Sequence, residues 1–242
     1  MASFKRILTL LIVALFAIAA VSGQSSNSNR DEERTIEESY LQEAIELMII
    51  RETSQASSLD QKMLALQYIG DAIERGNTSE EICQTLEYLS MEGLMIQSRE
   101  NGRLVNNFPE ARREAAKQLG KLKTQEAQAA LINICTVEKE PMVLQEAIKS
   151  LGDYPGEDNK KALEAIVWIV NRFNALNPDN LMALAAVDAI AKIAETNNGI
   201  NSPGAAALLI RIAEGPYIRV VQDKAKYVLG DLRKYSAQNS KR

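Results

Sequence analysis

The chain predicts an all-α fold, a right-handed α-α superhelix (solenoid) of about five helical pairs. Three observations predict it. A small-residue pattern recurs along the 242 residues. Apolar residues around each copy return at helical spacing, and no long stretch alternates as a strand does. The composition, 46% hydrophobic and 25% charged, is that of a packed chain rather than a disordered one. The pattern is Ala, three residues, Leu or Ile, then Gly or Ala. It occurs as Ala65–Gly70, Ala115–Gly120, Ala147–Gly152, Ala186–Ala191 and Ala225–Gly230. Its last positions, 70, 120, 152, 191 and 230, lie 50, 32, 39 and 39 residues apart, the periodicity of stacked two-helix units. Ala and the Leu four places on share one helix face.

Taken in order, the chain opens with MASFKRILTLLIVALFAIAAVSGQ. Lys5 and Arg6 precede an apolar run from Ile7 to Val21, and Val21-Ser22-Gly23 offers small residues for cleavage. This is the pattern of a secretory signal peptide, 1–23, cut before Gln24. An uncleaved membrane anchor is the alternative reading. Residues 24–34 are polar and read as a disordered leader. A helical solenoid is expected over 35–236 and a disordered tail over 237–242. Ten helices are expected, near 35–57, 59–76, 78–98, 109–122, 124–138, 140–154, 157–175, 179–196, 203–214 and 216–236. Thr35 with Glu38, and Thr78 with Glu81, form capping boxes. Pro109, Pro141, Pro178, Pro203 and Pro216 stand at or near helix starts, where a missing amide hydrogen costs little. The pattern's glycines, near helix ends, suit left-handed closing residues.

REAAKQLGKL and QEAIKSLGDY, around Gly120 and Gly152, are the most alike copies. With the other copies they resemble HEAT repeats, particularly the short HEAT-like type of phycobilisome lyases, over roughly residues 59–236. The resemblance implies an interaction scaffold and carries over no catalytic residues.

The chain has no histidine, which removes the commonest general base and a common metal ligand. With only two cysteines, Cys83 and Cys135, a structural zinc site is not expected. No metal or other cofactor is implied. The formal charge of −4 argues against a nucleic-acid partner. An enzyme would have to rely on isolated carboxylates such as Glu164 or Asp188, in a lyase- or hydrolase-type reaction. The expectation is therefore a non-enzyme: an exported scaffold, periplasmic or secreted, that binds a protein of the cell envelope. The alternatives are that carboxylate enzyme and a structural envelope protein anchored by an uncleaved signal. Membrane contact is expected only in the anchored case, and the oligomeric state is open.

In a solenoid the second helix of each pair commonly lines the concave face. On the 157–175 helix Ala162, Leu163, Ile166, Ile169, Val170 and Phe173 form the core stripe. Trp168 stands near the opposite side, with Lys161 and Arg172 on its face; it is either an interface anchor or packing for the next repeat. Tyr88, Met91 and Met95 point away from the Ile82/Leu86/Leu89 stripe and are candidate contacts, or they pack near Thr136. The insertion 99–108 brings Arg103 and Phe108 as further candidates, or folds over the end of the first repeat. Arg113, Lys117 and Lys121 form an i, i+4 basic stripe flanked by Arg112 and Lys123, either a solvated surface or an anion-binding one. Residues 31–60 are predominantly acidic and 219–242 predominantly basic. Cys83 and Cys135 are expected as free thiols.

Overall fold

The computed structural model describes residues 36–156, 159–174 and 178–239. The segment 1–23, the leader 24–34 and the Thr35 capping box lie outside them. The chain divides into two compact units, Met1–Gln42 and Glu43–Arg242. Of the first, only the opening of one helix is described, with Tyr40 and Leu41 exposed.

Ten helices are present among the described residues: α1 Ile36–Gln55, α2 Leu59–Glu74, α3 Glu80–Met91, α4 Pro109–Leu122, α5 Gln125–Val137, α6 Pro141–Gly152, α7 Lys160–Asn174, α8 Asn180–Thr196, α9 Pro203–Glu214 and α10 Arg219–Asn239. In the second unit α2, α4, α6, α8 and α10 pack successively in one layer, and α3, α5, α7 and α9 in another. The arrangement is a helical-repeat solenoid of four complete pairs, α2/α3 to α8/α9, with α1 before and α10 after.

The repeated Ala and Leu or Ile build the core between the layers. Ala65 and Ile69, Ala115 and Leu119, Ala147 and Leu151, and Ala186 and Ile190 are all fully buried. In the last copy Ala225 is buried and Leu229 partly so. Side-chain caps open several helices: Ser58 accepts from Gln61 N, Thr124 from Ala127 N, and Asp179 from Leu181 N and Met182 N.

The repeat glycines do not close their helices in the left-handed region. Those turns use Gly76 (φ 90°) after α2 and Lys123 (φ 56°) after α4. The pattern glycines instead mark where consecutive first helices touch. A Cβ on Gly70 would meet the Gln118 side chain, one on Gly120 would lie 2.6 Å from Ser150 Cβ, and one on Gly152 2.6 Å from Ala189 Cα. Each partner stands two residues before the closing residue of the next copy.

Three boundaries differ from expectation. The 78–98 helix stops at Met91, because the chain turns sharply through Gly93 (φ 79°), where a side chain would strike the Asn106 carbonyl oxygen at 2.6 Å. A hairpin follows, β1 Arg99–Glu100 against β2 Arg103–Leu104, turned by Asn101 and Gly102, both at positive φ. Thr78 is not the cap of α3: Ser79 holds that position without a side-chain cap bond, and Asn77 Oδ1 accepts from Ser79 N at 3.0 Å. The expected tail is helical as far as Asn239, and 240–242 lie outside the described residues. No helix among the described residues is long and apolar enough to cross a membrane.

Candidate interaction surface and its buried charges

Helix α7 buries Ala162, Leu163, Ile166, Ile169 and Val170 and turns its other side outward. Trp168 lies on that side, 46% exposed. The Arg172 guanidinium stacks over the Trp168 ring at 5.2 Å from its centroid and lies 5.6 Å from that of Phe173. Its Nη1 donates to the Glu138 carbonyl oxygen at 3.3 Å, tying the end of α5 to α7. Lys161 is exposed on the same helix. Beside Trp168 a shallow groove of about 390 Å³ runs to the start of α9, lined by Glu164, Val167, Asn171, Ser202 and Gly204 among others. Arg211 of α9 donates to Asn171 Oδ1, bracing its far wall. This groove combines an apolar ring with hydrogen-bonding groups, the composition of a docking centre for another chain.

The segment after α3 is held from beneath by charges that the sequence reading placed on the surface or passed over. Lys62 and Arg112 are both fully buried. Lys62 Nζ lies 2.7 Å from Glu92 Oε2 and donates to Ser54 O at 2.9 Å. Arg112 Nε donates to Glu138 Oε2 at 2.7 Å, and its Nη1 to Asn107 Oδ1 at 2.8 Å and to Glu92 O at 3.3 Å. Glu138 Oε1 also accepts from Lys139 N and Glu140 N. Asn106 Nδ2 donates to Ile96 O and Glu92 Oε1, and its Oδ1 accepts from Ser98 N. Arg112 is thus no flank of a basic surface. It sits three, four and seven residues before Ala115, Ala116 and Leu119, on the buried face. Lys62 stands in the same relation to Ala65, Leu66 and Ile69. Both lie eight residues before the repeat glycine, and both their carboxylate partners are the C-cap residues of the following second helix. That shared register is the sequence feature that could have revealed the pairs; Leu144, at the same place in the third copy, ends the series.

The remaining candidates divide. Met95 and Arg103 are exposed beside the hairpin. Phe108 is partly buried against the core and anchors the segment's return to α4. Met91 is 5% exposed, with Asn133 Nδ2 at 4.0 Å from its sulfur, and is core packing rather than a surface contact. Tyr88 is half-buried, with Lys62 Nζ 5.9 Å from its ring centroid, and burial pushes its hydroxyl pKa up.

The basic stripe is woven into ion pairs between neighbouring first helices. Arg113 Nε lies 3.4 Å from Glu146 on α6, and Lys121 Nζ 3.0 Å from Glu74 on α2; Lys117 pairs within α4 with Glu114 at 3.0 Å. Lys192 with Asp153, and Lys224 with Asp188, continue the series along the stack. Each cation meets a carboxylate of its own chain, so the stripe offers an anion less positive charge than three exposed cations would. Asp188, one of the two carboxylates considered for catalysis, is spent in such a pair; Glu164 is exposed in the Trp168 groove. Among the described residues no group of three or more Cys, Asp or Glu is placed to hold a metal ion. Cys83 and Cys135 are free thiols; burial pushes Cys83 up and Cys135 up to about 12.

The family model for HEAT repeats matches residues 103–172, which span the hairpin's second strand to the last turn of α7. No curated protein matches the chain in sequence. Among solved structures, one from Nostoc sp. PCC7120, the complex of CpcE and CpcF of phycocyanin lyase, has the same fold. It matches with a TM-score of 0.54 at 20% identity, over 79% of this chain and 65% of the matched one, just under two thirds of that chain's length. The fold is therefore a HEAT-like solenoid of the type found in phycobilisome lyases. The comparison also corrects one expectation. A repeat solenoid without catalytic motifs reads as a non-enzyme, yet this same architecture serves in a lyase complex. Repeat architecture is thus no ground for excluding catalysis.

Proposed function

We propose that this HEAT-like solenoid is a protein-binding module of the cell envelope, exported by its amino-terminal segment and docking its partner on the α7 face. Trp168 carries the reading. A solitary tryptophan that is nearly half exposed, pinned by an arginine and opening onto a groove, has no role in holding its own helix to the core. Arg172 is fixed by its bond to the Glu138 carbonyl, so little further side-chain entropy is lost when a partner covers both. Export rests on the charged start, apolar run and small residues of 1–23.

The test is binding by Trp168→Ala. Capture of an envelope partner should weaken by about 2 kcal/mol, roughly thirtyfold, with the melting temperature nearly unchanged. In the free protein the Trp168 fluorescence should be open to acrylamide quenching and become protected when partner is added. Shielded, blue-shifted emission in the free protein, or binding unaltered by the substitution, refutes the α7 face.

A second reading has one specific observation behind it: the fold shared with the phycocyanin lyase complex. In that reading the chain is a lyase-type component that holds a protein substrate in the Trp168 groove, with Glu164 the carboxylate nearest the bound chain. Glu164→Gln would then abolish turnover while leaving capture intact.

A further inference from the structure

Every repeat glycine but the last is met by a neighbouring first helix. Gly70, Gly120 and Gly152 lie against Gln118, Ser150 and Ala189, and Gly230 on α10 faces open space, with nothing within 4 Å of a Cβ built there. The surface around it is apolar and charged by turns. Val220 and Tyr227 are each 69% exposed, and with Asp223, Gly230 and Lys234 they fall at intervals of three and four residues, one stripe along the helix. Val221, Ala225 and Val228 are buried on the opposite side of the helix, and Lys224, beside the stripe, pairs with Asp188 of α8, so the stripe is turned away from the rest of the stack.

We infer that this stripe is a dimer interface, and that its occupant is α10 of a second copy of the chain, running antiparallel about a two-fold axis. The stripe is complementary to itself in that register. An axis placed between Val228 and Leu229 sets Tyr227 opposite Gly230 of the second copy and Asp223 opposite its Lys234. The symmetry makes each contact twice. The tyrosine ring fills the space that glycine leaves, as Ser150 and Ala189 do inside the stack, and the cross-paired charges fix the register. Among the described residues the ion-pair partners of Asp223 and Lys234 are on their own helix, Arg219 and Lys226 for the one and Asp231 for the other. These exposed pairs are readily exchanged. The inference is independent of the α7 face, which lies on the other layer.

One helix pair is a small contact, so the dimer should be weak, with a dissociation constant of tens of micromolar or so. Sedimentation velocity on the chain as its producing cell processes it, from about 1 to about 200 µM, should show a monomer–dimer equilibrium. Gly230→Lys fills the notch and should leave a monomer throughout, while its melting temperature stays level or rises, since the monomer has room for the side chain. Asp223→Lys and Lys234→Asp should each weaken the dimer about tenfold, and the double variant should return to near the original constant. A protein that is monomeric over the whole range, or a dimer that survives Gly230→Lys or is not rescued by the double exchange, overturns the inference.

Discussion

Alanine placed at successive repeat glycines should change stability in opposite directions, although each substitution is the same chemical step at the same place in the repeat. In a helix Gly→Ala gains about 0.5–1 kcal/mol, because alanine gives up less backbone freedom on folding. At Gly230 no described neighbour opposes the gain, since the new methyl meets no atom of the described residues within 4 Å. At Gly152 the methyl would stand 2.6 Å from Ala189 Cα and 2.9 Å from Ala189 Cβ. Carbon atoms settle about 3.5–4.0 Å apart, so α6 and α8 would have to separate by close to 1 Å. The obstacle is backbone and cannot swing aside, and overpacking of this kind costs about 1–3 kcal/mol. The net expectation is a loss of about 1–2 kcal/mol for Gly152→Ala. Gly70 falls between: its neighbour at 3.0 Å is the end of the Gln118 side chain, which can move at the expense of its 2.7 Å bond to Glu114. Urea unfolding followed by helix ellipticity, at protein concentrations low enough to keep the chain monomeric, gives all three values. If Gly152→Ala stabilises as much as Gly230→Ala, the glycines are not close-approach positions.

Three other outcomes are expected. Glu138→Ala should cost about 3–5 kcal/mol, because it strands the buried Arg112 and two backbone amides, whereas Arg112→Met with Glu138→Leu should recover most of the loss; a drop under about 1 kcal/mol by urea unfolding would show that the pair is not sealed from water. Cys135, its pKa held at about 12 against an ordinary 9.0, should resist a thiol reagent at pH 8 in the folded protein while Cys83 reacts slowly, and equal fast labelling of both would contradict the burial. The same shift makes the unfolded chain ionise first, so Cys135 favours folding below pH 9 and loses that contribution as pH rises from about 9 towards about 12. Intact-mass measurement of exported protein should find a chain beginning at Gln24, and a mass that includes Met1–Val21 would reject cleavage.

The stacking was legible because it is repeated: five copies of one spacing define which residues are small and which are buried, and helical periodicity does the rest. What the spacing could not supply was direction. Glycine near a helix end has two physical uses, a left-handed turn and a close approach, and the sequence around Gly120 fits either until Ser150 is seen against it. The helix over 78–98 overshot because Leu94, Met95 and Ile96 keep an apolar pattern past Gly93, and only the Asn106 carbonyl explains why the chain must turn there. Trp168 was found because it breaks its own helix's apolar stripe. Arg112 was misplaced for the converse reason. A charged residue beside Arg113 suggests a basic surface, and the competing indication, its register with Ala115 and Leu119, asks for a buried arginine, which is rare without a partner in view.

The buried pairs also bear on how the two ends of the stack came to differ. A first helix can bury a cation eight residues before its glycine only when the second helix of the same repeat brings a carboxylate to its end. Glu92 and Glu138 do so for Lys62 and Arg112. Removing both members at once, as Leu144 does in the third copy, avoids an unpaired buried charge and leaves ordinary apolar packing. The first two repeats therefore hold a polar layer where the later ones hold apolar side chains. That layer lies beneath the segment from Glu92 to Asn107: Arg112 donates to the Glu92 carbonyl and to Asn107 Oδ1, while the segment's own Asn106 donates to the Ile96 carbonyl and accepts from Ser98 N. An apolar core at the same place would have no donor for the Glu92 carbonyl. The charges are thus explained by the insertion they support: Glu92 and Asn106 root the segment in the repeat core, and the exposed hairpin and Met95 are carried on that footing.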